Sequence, residues 1–504
     1  MKYETLRNGL ANFMGGVLPA VVTLLTTPYV VNTLGDDSYG ALILITAIIG
    51  YFAIIDLNIT AGSVKYVAEH HATGNVRLRN QTLTGGFTLY VLIGAVGCAL
   101  VLLLSDTLVH RVFAIPEALQ DEIGLALGIA AFGFLFGQMQ VYLNSVPQAI
   151  RRYDQSAAAE SFFGILAPLA TVFVLWLGYG IVEIVAVRVA ASVLNIGVLV
   201  WMIRRLLPDV AFELPGRATL AALGKFSGFA YLSRLAMVAY AQGDKLILGA
   251  LTSMSALTYY AVPFMLVNRV FSLTYRLGGV MFPVASALAA RQETERLREL
   301  YLYAARYVFF INCALAVLLI TLAHEILLYW IGPTMAENGA QVLLLITVAA
   351  LVDSLTNAPS LVNDGLGRPH ITGGFAISRA TLGVSLTFLL VAQQGVIGAA
   401  YAQVATAVVM ASLFLVYVHG RSVPVPLRDY LRVVVAPALP LLLGALAFWG
   451  ATRGHAPLSP MQTAGVLIIE GVLLIAFAWL FVFRVADRAA LLARLRGARP
   501  GISA

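Results

Sequence analysis

Charge is scarce in this chain. Only 11% of its 504 residues are Asp, Glu, Lys or Arg, where a soluble protein carries roughly 25%. Hydrophobic residues make up 60%, and the mean hydropathy is +0.87. That balance speaks against an ordinary soluble domain and for a polytopic membrane protein. Cysteine is nearly absent. Cys98 and Cys313 both sit inside apolar runs, where a thiol behaves as a small hydrophobe and carries no signal of redox compartment. The seven histidines, among them His70, His71, His370 and His419, fall in loops or at span ends. No metal-ligand spacing, nucleophile constellation or Gly-rich nucleotide loop is present. The nearest glycine-rich run, "NDGLGRPH" (363–370), reads as a structural turn. The chain therefore reads as a non-enzyme with no cofactor and no metal. Its start, "MKYETLRNGLANFMGG", has an early acidic residue and no small-residue cleavage site, so it reads as a first span and not as a cleaved signal peptide.

What the chain has in abundance is long apolar runs. A membrane span needs about 20 such residues, which places spans near 9–33, 39–64, 82–104, 123–148, 156–178, 181–203, 226–250, 256–289, 301–323, 339–362, 371–391, 395–418, 431–450 and 461–483. The expected fold is all-α, with about 14 transmembrane helices. Segment 256–289 is too long for one straight crossing and is expected to be tilted, broken or extended. In alternate loops, 23 Lys and Arg lie on the side of the N-terminus, against Arg111 and Arg453 on the other. The positive-inside rule puts both termini in the cytoplasm. The formal charge of +7 is then mostly a topology signal, and no nucleic-acid partner is expected. "RQETERLREL" (291–300) reads as a helical extension with charge pairing, and the tail 488–501 as a basic amphipathic helix or a disordered tail.

Two halves overlay. "FVLWLGYGIVEIVAVRVAASV" (173–193) aligns without gaps on "FLLVAQQGVIGAAYAQVATAV" (388–408) at an offset of 215. Six spans per half give two lobes related by an axis along the membrane normal, a transporter plan with its site between the lobes. The expected divisions are an N-terminal lobe at 1–205, a cytoplasmic connection at 206–225, a C-terminal lobe at 226–420, and two further helices with a basic tail at 421–504.

The order of residues in two stretches resembles a known family. "TTPYVVNTLGDDSYGALILITAIIGYFAIIDL", followed by "AGSVKYVAEH", has the Pro28-Tyr29, Leu34-Gly35, Tyr39-Gly40, Asp56 and Lys65-Tyr66 order of the polysaccharide-transporter (O-antigen flippase) family. "GDKLILGALTSMSALTYYAV" is similar to its seventh-span signature, an Asp-basic pair, then Ile-Leu-Gly and Tyr-Ala. Leu57-Asn58 departs from the family's usual glycine, so a weaker bend is expected there. The resemblance implies the fold of the multidrug/oligosaccharidyl-lipid/polysaccharide exporter superfamily. It also implies translocation of a polyprenyl-pyrophosphate-linked oligosaccharide to the outer leaflet of a bacterial inner membrane, for O-antigen or exopolysaccharide synthesis. The partners expected are that substrate, the bilayer, a polysaccharide polymerase and a chain-length protein.

Charges inside spans then define the candidate site. A charge at the bilayer centre costs about 2.5–3.5 kcal/mol on insertion scales. Arg234, Lys245, Arg269, Arg276 and Arg379 nevertheless fall within spans. Arg269 and Arg276 share nearly one helical face, as do Arg234 and Lys245. Such faces need a polar cavity to look into, and an arginine-lined cavity suits a pyrophosphate, whose oxygens the guanidinium binds bidentately. The competing reading is that these residues snorkel or neutralise buried carboxylates. Asp56, Asp353 and Asp244 are the candidates for proton or sodium coupling, against a plain charge-neutralising role. Adjacent Asp244 and Lys245 are not expected to face each other. The rival functions are a multidrug/cation antiporter of the same superfamily, which calls for an acidic cavity, and a membrane glycan polymerase, which calls for a large outer loop.

Overall fold

The structure, a computed structural model, describes residues 2–56, 59–279, 281–452, 457–483 and 487–488. All regular structure among them is helical. The helices are α1 (Lys2–Leu34), α2 (Asp36–Phe52), α3 (Ile59–Ala72), α4 (Val76–Thr107), α5 (Glu117–Ala149), α6 (Tyr153–Trp176), α7 (Ile181–Leu206), α8 (Arg217–Leu251) and α9 (Met254–Gly278). There follow α10 (Met281–Ala290), α11 (Thr294–Thr321), α12 (Ala323–Trp330), α13 (Pro333–Ser354), α14 (Asn357–Gly365), α15 (Pro369–Arg421), α16 (Leu427–Tyr430), α17 (Leu439–Thr452) and α18 (Pro460–Phe477).

Eleven helical stretches among the described residues are long and apolar enough to cross a membrane. The fourteen crossings expected from sequence also include α8 and α9, of 35 and 25 residues, and count the two arms of α15 separately. Those arms meet at Gly395, whose φ of 60° and ψ of −136° interrupt the helix, a conformation that glycine adopts without a Cβ clash. The long eighth segment is broken as expected, with α9 ending at Gly278 and α10 beginning at Met281. The weaker bend expected at Leu57-Asn58 falls on two residues outside the described ones. The helix stops before that pair, with Asp56 in an extended conformation (φ −68°, ψ 105°), and α3 begins only at Ile59.

The chain forms two compact units. One comprises Met1–Val262 with Ala376–Ala402, the other Pro263–Phe375 with Gln403–Ala504. In the first, α4, α5 and α7 pack side by side around a core that includes Val67, Leu83, Tyr90, Tyr142 and Leu199. Close approach depends on a glycine here, because a Cβ on Gly86 would lie 2.4 Å from the Tyr142 ring. In the second, Tyr301, Phe309, Cys313, Val362, Val418 and Tyr430 share one core. His419, near the end of α15, is buried beside this core. Its Nδ1 lies 2.8 Å from the Val425 carbonyl and its Nε2 3.2 Å from the Tyr301 hydroxyl. A carbonyl only accepts, so Nδ1 donates and the neutral ring takes the Tyr301 proton on Nε2.

The connection after α7 is pinned to the start of α4. The Arg79 side chain is only 4% exposed and its Nη2 lies 2.8 Å from Asp209 Oδ1. Asn80 Nδ2 donates to the Asp209 carbonyl at 2.9 Å, and the Glu213 N–H donates to Thr84 Oγ1 at 3.2 Å. At the start of α11, Arg298 reaches Asp429 at 2.6 Å and Arg296 reaches Glu293 at 3.1 Å, so the charged run of 291–300 is partly braced against α16. The hydrogen bond from Arg79 holds the Asp209 carboxyl below its usual range. A depressed aspartate stabilises the fold above its unfolded value of about 3.9 and loses that contribution as the pH falls toward the lower folded value. Asp209→Asn should therefore melt below wild type at pH 7 in detergent, with the gap closing as the pH approaches 3. A gap independent of pH would show that the carboxylate charge is not what matters.

Candidate functional site

The charged stretch of α8 and α9 resolves into specific contacts. Asp244 is 3% exposed. The Tyr260 hydroxyl donates to its Oδ2 at 2.7 Å, and Lys245 Nζ donates to its Oδ1 at 3.3 Å. Lys245 Nζ also donates to the Ala241 carbonyl at 2.8 Å. Sequence spacing had put Asp244 and Lys245 out of each other's reach, and the structure corrects that. The spacing rule concerns the direction of Cβ, whereas the four-carbon lysine stem can curl back along its own helix. One turn before Asp244 stands Tyr240. The Arg379 guanidinium lies 4.9 Å from its ring centroid, and Nη2 donates to its hydroxyl at 2.8 Å. Arg379, Tyr240, Asp244, Lys245 and Tyr260 thus form one polar seam in the first unit.

Asp56 lies elsewhere in that unit, 2% exposed at the break before α3. The Tyr90 hydroxyl donates to its Oδ1 at 2.8 Å. Next to it, the Tyr142 hydroxyl sits 2.8 Å from Ser63 Oγ and within 3.0 Å of the Leu83 carbonyl. Two tyrosines whose rings are 5.4 Å apart therefore link α3, α4 and α5 through a buried polar core. Asp353, on α13, is partly buried, and its carbonyl accepts from Thr356 Oγ1 at 2.8 Å.

Arg269 behaves differently from all of these. It is exposed on α9, and its side chain has no ion-pair or hydrogen-bond partner among the described residues. It stands fifteen residues into the helix, or about 22 Å along its axis. Arg234 and Arg276 belong to α8 and α9, but their side chains lie outside the described residues. Two in-span arginines were not singled out from sequence. Arg188 on α7 is partly buried within electrostatic reach of Tyr39, and Arg306 on α11 donates to the Phe481 carbonyl. The signal for both was the one that found the others, a lone cation in an apolar run.

A second group of contacts joins the α1–α2 turn to the first turns of α9. Asp37 Oδ1 accepts from the Ser255 N–H at 2.9 Å, the Tyr259 hydroxyl donates to Asp36 Oδ2 at 2.7 Å, and Thr258 Oγ1 donates to the Asp36 carbonyl at 2.6 Å. Tyr240, Tyr259 and Tyr260 each have a partner in the chain itself. Gly40 permits the approach, because a Cβ there would lie 2.0 Å from the Met254 carbonyl oxygen. Gly40→Ala should lower stability in detergent by about 1–3 kcal/mol, the range for overpacking a tight contact. Gly137→Ala, whose Cβ would meet nothing within 4 Å, is the control. Equal melting of both variants would show that the junction yields without strain.

The helical bundle, its apolar crossings and its in-span cations define a polytopic membrane transporter. Residues 5–289 match the polysaccharide biosynthesis protein family, and the chain belongs to that family. It is 21% identical over 424 residues to the "Putative O-antigen transporter" of Shigella flexneri, covering 82% of this chain and 98% of that one. It is 23% identical over 372 residues to the "Uncharacterized membrane protein EpsK" of Bacillus subtilis (strain 168), covering 70% of each. Among solved structures it is similar to the lipid II flippase MurJ in an inward closed conformation, with a TM-score of 0.69, 12% identity, and coverage of 97% of this chain and 99% of that one. It is also similar to an inward-facing multidrug resistance MATE family transporter of the MOP superfamily, with a TM-score of 0.65, 16% identity, and coverage of 82% and 98%. At those identities the likeness is one of fold. The chain is a bacterial membrane transporter and not an enzyme.

Proposed function

We propose that this transporter is a flippase for a polyprenyl-pyrophosphate-linked oligosaccharide, moving it from the cytoplasmic to the outer leaflet of the inner membrane by alternating access, with both termini cytoplasmic. The observation that carries the reading is Arg269, an in-span guanidinium exposed and without a protein partner among the described residues. An arginine at that depth needs water or an anion, and a pyrophosphate offers oxygens that its fork can hold bidentately. Arg234 and Arg276 are assigned to the same task. Arg379 and Lys245, already engaged with Tyr240 and Asp244, are assigned a lesser share. The match to an O-antigen transporter over nearly its whole length supports the cargo class.

Ion coupling is assigned to Asp56, Asp244 or Asp353, the carboxylates within spans. Asp56 and Asp244 are buried, and each accepts a tyrosine hydroxyl, an environment in which a change of protonation would be felt by the helices those tyrosines belong to. A cation exporter of the same fold would instead need unpaired carboxylates facing its cargo, and the exposed charge on α9 among the described side chains, Arg269, is positive.

Purified protein in proteoliposomes should move a labelled polyprenyl-pyrophosphate glycan and leave an organic-cation dye in place. Arg269→Ala should reduce glycan movement by about tenfold or more, a charge-assisted contact being worth roughly 1.5–3 kcal/mol, and Arg269→Lys should restore part of it. Dye transport without glycan transport would assign the cargo to the cation class. Full glycan movement in Arg269→Ala would remove that residue from the site.

A further inference from the structure

The first unit carries a groove that the transport reading leaves unused. It lies between the ends of α6 and α7 nearest the basic loops and has a volume of about 390 Å³. At roughly 30 Å³ for each water-sized group, it holds a stretch of chain and not merely a single ion. Ala158 and Ala159 leave its floor open, and Phe162 and Trp201, each 60% exposed, stand at its walls. Gln155 and Arg205 close the end toward the loops. On both helices the groove runs over about seven residues, from 155 to 162 and from 198 to 205, or about 10 Å along the axis.

Its polar end is charged in one sense. The Arg205 guanidinium rests 5.6 Å from the Trp201 ring centroid, which holds it at the mouth of the groove. Arg204 is exposed beside it. Neither arginine has a carboxylate partner among the described residues. The nearby Arg152, by contrast, is paired with Asp154 at 3.1 Å. An apolar trough that ends at the unneutralised Arg205 guanidinium, with exposed Arg204 on the adjacent residue and an aromatic ring at the boundary, matches a molecule that has a hydrocarbon chain at one end and a phosphate at the other.

We propose that this groove binds an anionic phospholipid of the leaflet on the side of the basic loops. One acyl chain lies over Ala158 between Phe162 and Trp201, and the phosphate sits on Arg205 and Arg204 within reach of the Gln155 amide. Charge complementarity selects the occupant. A zwitterionic lipid also carries a phosphate, but its own ammonium offsets the attraction, whereas each arginine near an anionic surface is worth about fivefold in occupancy. The assignment does not depend on the identity of the transported cargo.

The test uses the full chain, purified with phosphatidylglycerol and phosphatidylcholine supplied equally, with retained lipid read by native mass spectrometry. Phosphatidylglycerol should be retained about fivefold or more over phosphatidylcholine, and Arg204→Gln/Arg205→Gln should bring the ratio to about one. Ala158→Leu should lower retention of both. Equal retention by wild type, or an unchanged preference in the double variant, would overturn the assignment. Displacement of phosphatidylglycerol by a polyprenyl-linked glycan would overturn it as well, by giving the groove to the cargo. A measurement on the unaltered site guards against a misfolded variant. Brominated phosphatidylglycerol should quench a tryptophan component that is missing in Trp201→Phe, and quench it more than brominated phosphatidylcholine does. Equal quenching by the two lipids would count against the site.

Discussion

A charged side chain inside a bilayer must find a counter-charge, a hydrogen-bond donor or water, because the hydrocarbon supplies none of these. Much of the polar architecture of this chain follows from that requirement. Asp244 meets Lys245 and Tyr260, Asp56 meets Tyr90, and Arg379 meets Tyr240. Tyrosine recurs because it can lie in an apolar core and still present a hydroxyl to a carboxylate or a guanidinium. These pairings also weld helices together. The Asp56–Tyr90 contact joins the break before α3 to α4, and the Asp244–Tyr260 contact ties α8 to α9. Arg269 is the exception on α9 among the described side chains, and the functional reading rests on that contrast and not on the number of arginines.

The helices were legible in the sequence because apolar run length is a local property, and so was the interruption of the eighth segment, where paired glycines precede Val280. The in-span charges were equally visible. Their partners were not, since Tyr259 and Asp36 are 223 residues apart and Arg379 and Tyr240 are 139 apart, and a single sequence carries no record of such pairings. Lys245 shows a different failure. The neighbour rule describes where side chains start, and a long flexible one can end on the residue beside it. Just before Leu57-Asn58 the helical run gives way to an extended residue at Asp56, a local change that the apolar run there did not signal. Arg188 and Arg306 were readable by the same logic as the rest.

The sign of the unpartnered charge bears on the cargo. Asp56 and Asp244 accept from tyrosine hydroxyls and Asp244 also from Lys245, while Glu160 accepts from the Asn144 amide and Glu183 from the Gly180 N–H, so these carboxylates already have donors within the chain. The exposed guanidinium of Arg269 has its donors still available. A transporter of this fold can serve unrelated cargo, so the fold alone decides nothing; the site must do so, and its free hydrogen-bonding capacity is that of a donor. An anionic headgroup completes Arg269, whereas an ammonium would only add to its repulsion.

The α1–α2 junction sets a different requirement on the cycle. Three hydrogen bonds tie Asp36 and Asp37 to Ser255, Thr258 and Tyr259, and Gly40 brings α2 against the Met254 carbonyl. Under the alternating access proposed above, contacts that part during transport must be strong enough to hold and weak enough to break. Asp37 is exposed and Asp36 only partly buried, so water can replace each lost partner. The net value of such a bond is then about 0.5–1.5 kcal/mol and not the several kcal/mol of a dry one. A junction built from a few water-accessible hydrogen bonds around one glycine contact can therefore open at a total cost within reach of binding energy. A buried pair such as Asp244 with Lys245 could not, because its parting would strand a charge in the membrane. The polar seam is thus the costlier of the two sets of contacts to break, and the acidic turn the cheaper.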